Sequence, residues 1–321
     1  SKIVVNMNMK ERVLVVGANG FIGTHLVNEL IANKIPVTAL LKNNVSTNDL
    51  KKIGCYNILQ SNNLNDSSLI RQLQVSKPKY IVNCLWETTK KDRIQPLKNT
   101  ELLIELLKLT NKIGCENFIN LGTYQEYGLY EEDILETSIP SPKTDLGKLK
   151  YAQSLTLFEI AKSLDLKVCH LRLSEVYSID KPEGFIYNLL IKEVANGLNK
   201  KFSFPVEKKD YIFVTDVCRA IIFLMKSNAE GIFNIGSGQS FLSKDLMNMI
   251  IQQYASDIVI EHTKENKNQD FSLNIDKVFN TIGWKPNISI WDGITMLLQE
   301  EKFKNPATFD TFTKTIRSFY K

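Results

Sequence analysis

This sequence has few of the residues that build metal and disulfide sites. Three histidines, His25, His170 and His262, are scattered through 321 residues with no ligand spacing between them, so no metal site is expected. Five cysteines, Cys55, Cys84, Cys115, Cys169 and Cys218, are odd in number and far apart. They read as reduced, buried thiols of a cytoplasmic protein, not as a disulfide framework. No apolar run approaches the ~20 residues of a membrane span, and Ser1 to Lys10 have too little apolar length for a secretory signal. The 40 basic and 35 acidic residues, net +5, are interspersed and form no basic stripe of the kind nucleic acid requires. These absences point away from membranes and nucleic acid and leave small anionic molecules as partners.

What is present begins near the amino terminus. Val13-Leu14-Val15-Val16 is an apolar run of the sort that forms a strand buried on both faces. Gly17-Ala18-Asn19-Gly20-Phe21-Ile22-Gly23 follows, and then a helical pattern carrying Leu26, Val27, Leu30 and Ile31. The spacing is G-x-x-G-x-x-G. Gly17 lets the chain reverse, Gly20 lets its backbone approach a phosphate, and Gly23 lets the helix lie close to the strand. A pyrophosphate then meets the free N–H groups at the positive end of the helix. Strand before and helix after are the context in which this motif reads as a dinucleotide site.

Strands and helices then alternate. Pro36 to Leu41, Tyr56 to Gln60, Tyr80 to Leu85, Phe118 to Leu121 and Lys167 to Leu173 read as strands two to six, with helices over Asp66 to Gln74, Leu97 to Lys112 and about Leu146 to Leu164. This alternation predicts an α/β fold, a doubly wound parallel sheet of Rossmann type with a smaller C-terminal mixed α/β lobe. Residues 10–174 with 209–238 are expected to form the dinucleotide-binding domain, and 175–208 with 239–321 the substrate lobe. Gly184 to Asn196 reads as an amphipathic helix, and Lys200 to Pro205 as a strand and bend. Ligands of such sheets collect beyond the carboxyl ends of the strands.

After strand two the sequence is Leu41-Lys42-Asn43-Asn44. An acid there would bind the ribose 2′-hydroxyl of NAD, and a cation the 2′-phosphate of NADP. The acid is missing and Lys42 is present, so NADP is favoured over NAD; alternatively, Lys42 is a solvated residue at a strand end.

Several segments resemble the extended short-chain dehydrogenase/reductase family, of the epimerase/dehydratase type that modifies nucleotide sugars. They are the glycine motif, Asn63-Leu64 where the family has Asp-Leu, Asn99, Lys209-Asp210-Tyr211-Ile212-Phe213-Val214-Thr215-Asp216-Val217, Gly231 to Gly238, and Ile282-Gly283-Trp284-Lys285-Pro286. The resemblance implies that Gly17, Asn19, Gly20, Phe21, Ile22, Gly23, Lys42, Asn63, Leu64, Leu85 and Lys150 hold the cofactor. It implies that Glu87, Thr123, Ser174, Tyr177 and Lys209 face the substrate, a nucleoside-diphosphate sugar. Family members also dimerise through the helices after strands four and five, which places Leu102, Leu103, Leu106, Leu107, Leu155 and Phe158 at a homodimer contact.

In the family a Ser or Thr after strand five polarises the substrate oxygen, and a Tyr four residues before a Lys passes the proton. Gly122-Thr123-Tyr124-Gln125-Glu126-Tyr127-Gly128 resembles the first segment and places Thr123 at the hydroxyl. Pro142 to Lys150 resembles the second, with Lys150 retained and Leu146 at the tyrosine. Tyr177 and Lys181 have the Tyr-x-x-x-Lys spacing but follow strand six, the wrong context. Leucine has no ionisable group, so the proton must come from elsewhere. Tyr124 and Tyr127 are the candidate phenols, Glu126 and Asp145 the candidate carboxylates, and a water held by Thr123 is another route. The reading is an NAD(P)-dependent oxidoreductase acting at C4 of a nucleoside-diphosphate sugar. The alternatives are an epimerase or dehydratase that recycles its cofactor, and a cofactor-binding sensor without chemistry. Residues 302–321, with Phe303, Phe309, Phe312 and Phe319, are expected to pack on the small lobe or at a subunit contact.

Overall fold

The structure, a computed structural model, describes residues 12–87, 95–128, 131–178, 207–246, 248 and 270–304. The expected helix over Gly184 to Asn196, the Lys200 to Pro205 segment, Lys181, His262 and the end of the chain from residue 305 lie outside the described residues.

Four strands and their helices lead to the heart of the sheet: β1 (Val13–Val16), α1 (Phe21–Ala32), β2 (Val37–Leu41), α2 (Asn48–Lys52), β3 (Ile58–Gln60), α3 (Ser67–Ser76), β4 (Tyr80–Asn83) and α4 (Pro96–Lys112). The second half continues with β5 (Asn117–Thr123), α5 (Asp145–Ser163), β6 (Lys167–Leu173), β7 (Glu175–Tyr177), β8 (Lys208–Phe213), α6 (Val214–Lys226), β9 (Gly231–Ile235), β10 (Ser240–Leu242), α7 (Asp276–Ile282) and α8 (Ile290–Lys304). Seven strands form one parallel sheet in the order β3-β2-β1-β4-β5-β6-β9. The order reverses between β1 and β4, where Val16 lies between Leu40 and Asn83, and this is where such a sheet opens a crevice. A second sheet, β10-β8-β7, pairs β8 antiparallel to β10 and parallel to β7.

The apolar strands form because helices cover both faces. Val13 and Val15 pack with Leu26, Val27, Leu30 and the α6 residues Val217 and Ile221; Leu14 and Val16 pack on the other face with Leu73, Leu106 and Phe118. Each such buried side chain contributes roughly 1.5–3 kcal/mol. The short α2, unforeseen in the sequence, has a single buried anchor, Leu50. Strand β5 runs two residues further than the apolar pattern, which places Thr123 at its last position.

One expectation needs correction. Leu103, Leu106 and Leu107, assigned to a subunit contact, are buried in this chain's own core beneath the sheet, because α4 turns that face toward β4 and β5. Leu155 remains about half exposed.

The small sheet is fastened to the large one by Asp210 on β8. Its buried carboxylate accepts from Ser237 N at 2.7 Å, Ser237 Oγ at 2.7 Å, Gly238 N at 3.2 Å and Leu273 N at 3.1 Å. Replacing Asp210 by Ala leaves these donors unpaired in a dry site, and urea unfolding should show a loss of about 3 kcal/mol.

Candidate active site

The crevice above β1, β2 and β4 has a cavity volume of about 240 Å³ and is floored by Gly17, Asn19 and Gly20. Gly17 has φ +76°, and a Cβ there would stand 2.8 Å from the Leu85 Cα; one on Gly23 would stand 2.3 Å from Gly17 O. Both glycines are demanded by the protein's packing on itself. A Cβ on Gly20 would meet only Gly17 O, at 3.2 Å, so the absent side chain leaves open space instead. Helix α1 starts at Gly20 with no side-chain cap and no acid in its first turn. Its free N–H groups and positive end suit a diphosphate, and the crevice fits a dinucleotide.

Leu64 and Leu85 line this crevice as expected. Asn63 does not line it; its Oδ1 accepts from Asn65 N at 2.9 Å, and Ser61 and Asn62 line the wall in its place. Phe21 lies edge-on to His25 at 5.7 Å, and Ile22 packs on the core, so these two contribute backbone to the turn. Glu87, expected to face the substrate, lines the dinucleotide crevice and forms an ion pair with Lys42. Trp86, which no sequence motif marked, lies between them and Lys150 along the same wall.

Lys150 is brought to Leu121 O, two residues before Thr123, because α5 begins against the end of β5. A Cβ on Gly147 would lie 2.2 Å from Gln125 O, so only glycine permits this approach. Thr144 caps the helix, accepting from Gly147 N at 3.0 Å and donating to Gln125 Oε1 at 2.6 Å. Leu146 follows in the first turn, one turn before Lys150. Lys150 Nζ donates to Leu121 O at 2.9 Å and stands 4.0 Å over the Trp86 ring. Burial pulls this ammonium down to about 8, against the raising influence of Glu126. Asp145 is exposed at the start of α5 and takes no part in this cluster.

Beneath Thr123 lies a dry polar network. Glu126 is fully buried and accepts from Thr123 N at 3.0 Å, Arg172 Nε at 3.0 Å and His170 Nε2 at 3.0 Å. Asn83 Nδ2 donates to Asn120 Oδ1 at 2.8 Å, which turns the Asn120 amide nitrogen to His170 Nδ1 at 3.1 Å. His170 therefore carries its hydrogen on Nε2, toward Glu126. Burial pushes the Glu126 carboxyl up, but His170, Arg172 and the Thr123 amide outweigh it and hold it below the ordinary value.

The two candidate phenols differ. Tyr127 is fully buried and donates to Asn234 Oδ1 at 2.7 Å, with the Arg172 guanidinium 4.3 Å over its ring; burial pushes it up to about 12. It joins β9 to the core and does not reach the crevice, which counts against the proton role considered for it. Tyr124 stacks on Phe271 at 3.9 Å and donates to Glu175 Oε1 at 2.7 Å. Lys209 stands 2.7 Å from Glu207 and 3.8 Å from Glu175, so its charge is met by two carboxylates. Ser174 is buried with its hydroxyl unpaired, whereas Tyr177 packs edge-on to Phe213 at 5.2 Å with its hydroxyl against Gly293. Tyr177 is thus a packing residue of the small sheet.

A model of the NAD dependent epimerase/dehydratase family matches residues 13–236. The chain belongs to this family. Among its relatives, dTDP-4-dehydro-6-deoxyglucose reductase of Escherichia coli is 27% identical over 318 residues, covering 92% of this chain and 99% of the relative. UDP-glucose 4-epimerase of Thermotoga maritima, solved with UDP-glucose, superposes with a TM-score of 0.75 at 23% identity, covering 92% and 99% of the two chains. dTDP-glucose 4,6-dehydratase of Bacillus anthracis, solved with NAD, does so with a TM-score of 0.76 at 18% identity, covering 92% and 98%. The protein is thus an NAD-dependent enzyme of the epimerase/dehydratase class. The preference for NADP read from Lys42 has no support: the family is NAD dependent, and Lys42 is held by Glu87. Among the described residues no helix is long and apolar enough to cross a membrane, and no cluster of metal ligands occurs.

The depressed Glu126 carboxyl stabilises the fold fully above the ordinary carboxylate value of about 4.3, and that contribution is lost as pH falls through its lower folded value. Glu126→Gln should therefore cost about 3 kcal/mol at neutral pH, with the gap to wild type closing in strong acid, as read by urea unfolding at both. Lys150 loses its charge as pH rises through about 8. Dinucleotide affinity, followed by Trp fluorescence, should weaken across that range in wild type and be weak but flat in Lys150→Met.

Proposed function

We propose that this protein is an oxidoreductase acting at C4 of a nucleoside-diphosphate sugar, reducing a 4-keto sugar or running the reaction in reverse. The observation that carries this reading is the meeting of Thr123 and Lys150 at the carboxyl end of β5, beside the dinucleotide crevice. Lys150 bonds Leu121 O only two residues before Thr123. The 4-keto-sugar reductase among the relatives supports the same reading.

A bound nicotinamide supplies or accepts the hydride. Thr123 donates its hydroxyl to the substrate oxygen and polarises the carbonyl, and Lys150 holds the cofactor ribose and provides positive charge. Leu146 contributes no proton. The proton at O4 comes from the Tyr124 hydroxyl, which is bonded to the Glu175 carboxylate while its ring is buried against Phe271. Glu175 orients that hydroxyl between turnovers. Net reduction takes its proton from solvent through Tyr124. A homodimer through α4 and α5 is part of this reading, resting on exposed residues such as Leu155. A second reading, a cofactor-binding sensor, is favoured by one observation alone, Leu146 in the place of the usual phenol.

Purified protein with reduced cofactor and nucleoside-diphosphate 4-keto sugars should consume the cofactor stoichiometrically. Thr123→Val and Tyr124→Phe should each lower kcat by about a hundredfold, the usual worth of an acid or an oxyanion donor. Interconversion of sugar epimers with no net change in cofactor would replace the reductase with a self-recycling epimerase. Tight cofactor binding with no turnover of any sugar nucleotide would select the sensor.

A further inference from the structure

Among the described residues lining the dinucleotide crevice, Lys42 is the sole cation and Glu87 the sole carboxylate, and they are paired with each other. Lys42 follows the last residue of β2, the position from which a doubly wound sheet reads the adenosine ribose. Its neighbours there are amides. Gln60 Nε2 donates to Lys42 O at 3.1 Å and to Val45 O at 3.0 Å, and Asn62 Oδ1 accepts from Asn43 N at 3.0 Å. The turn after β2 is therefore firmly held but carries no acid of its own.

Glu87 arrives from a different element, the segment after β4, and its backbone is held on both sides by one buried side chain. Asn99 Oδ1 accepts from Glu87 N at 2.8 Å, and Asn99 Nδ2 donates to Glu87 O at 2.9 Å. Its side chain is 16% exposed and that of Lys42 42%, so the pair is partly shielded from water on the Glu87 side. The carboxylate is presented on a fixed backbone, not on a free loop.

Resting on the reading of this crevice as a dinucleotide site, we infer that Glu87 selects NAD over NADP in this chain, replacing from the β4 side the acid that β2 lacks. The pairing cancels the charge of Lys42. A 2′-phosphate, with about two negative charges, must break the pair to reach the ammonium and then faces the carboxylate it displaced. An uncharged ribose diol breaks nothing and has a hydrogen-bond acceptor in Glu87. The lysine that on sequence alone points to NADP is thereby silenced by a residue 45 positions away.

Dissociation constants for NAD and NADP, measured by calorimetry on the intact protein, test this. In Glu87→Gln the ratio of NADP to NAD affinity should rise at least about tenfold, with an unchanged circular dichroism spectrum and melting temperature as the control for folding. Lys42→Met in the Glu87→Gln background should abolish that gain. Lys42→Met alone should lower NADP affinity further, since it bares the carboxylate, and serves if Glu87→Gln does not fold. Wild type that binds NAD, with a Glu87→Gln ratio unchanged within about twofold, overturns the assignment and leaves the enzyme reading standing. Failure of wild type to bind either dinucleotide overturns the cofactor reading and this assignment together.

Discussion

A carboxylate with no access to water has to be paired, and the way Glu126 is paired organises the catalytic end of the sheet. It accepts from an imidazole and a guanidinium on β6 and from the backbone of Thr123 on β5. The two strands and the turn that carries Glu126 are thus locked together by one charge whose desolvation would otherwise cost several kcal/mol. Thr123 stands at the last position of β5 because its amide is one of those donors. The Asn83 and Asn120 amides continue the chain of bonds across β4 to Leu85 N, 3.1 Å from Asn83 Oδ1, at the wall of the dinucleotide crevice. The dinucleotide crevice and the end of β5 therefore share one buried polar layer.

Close backbone approach does the rest of the positioning. Gly17 and Gly23 bring β1, α1 and β4 together, and Gly147 brings α5 against the end of β5. In each case a single methyl group would overlap backbone atoms, so the geometry of the site is set by the absence of side chains as much as by their presence. The Gly147 contact sets Lys150 against Leu121 O and over the Trp86 ring.

Around β7 and β8 charge is arranged in pairs. Lys209 sits between Glu207 and Glu175, and Glu175 in turn accepts from Tyr124. A ligand phosphate there would compete with two carboxylates for one ammonium, and Lys lacks the planar fork with which Arg would hold both. The Tyr124 phenol, stacked on Phe271, joins this cluster to β5.

The order of strands and helices was legible in the sequence, because buried parallel strands and amphipathic helices have different apolar periods. Strand β6 begins and ends at the expected residues, and β5 extends beyond the expected one by Asn117 at its start and by Gly122 and Thr123 at its end, none of which carries an apolar signal. The glycine cradle was legible from its spacing between strand and helix, although the atoms that exclude a Cβ at Gly17 belong to Leu85 and Cys84 on a distant segment. What no spacing revealed was which charged and polar groups meet. Glu126 and His170 are 44 residues apart and Tyr124 and Glu175 are 51 apart, and both pairs depend on strand register. Lys42 read as a free cation, Glu87 as a substrate ligand and Tyr127 as a possible acid until the fold placed Glu87 against Lys42 and Asn234 against Tyr127. The sequence by itself determined the sheet, the phosphate turn and the family. Only the tertiary structure decided which ionisable groups are free to act, because pairing in a dry interior depends on distances between strands that the linear order of residues does not contain.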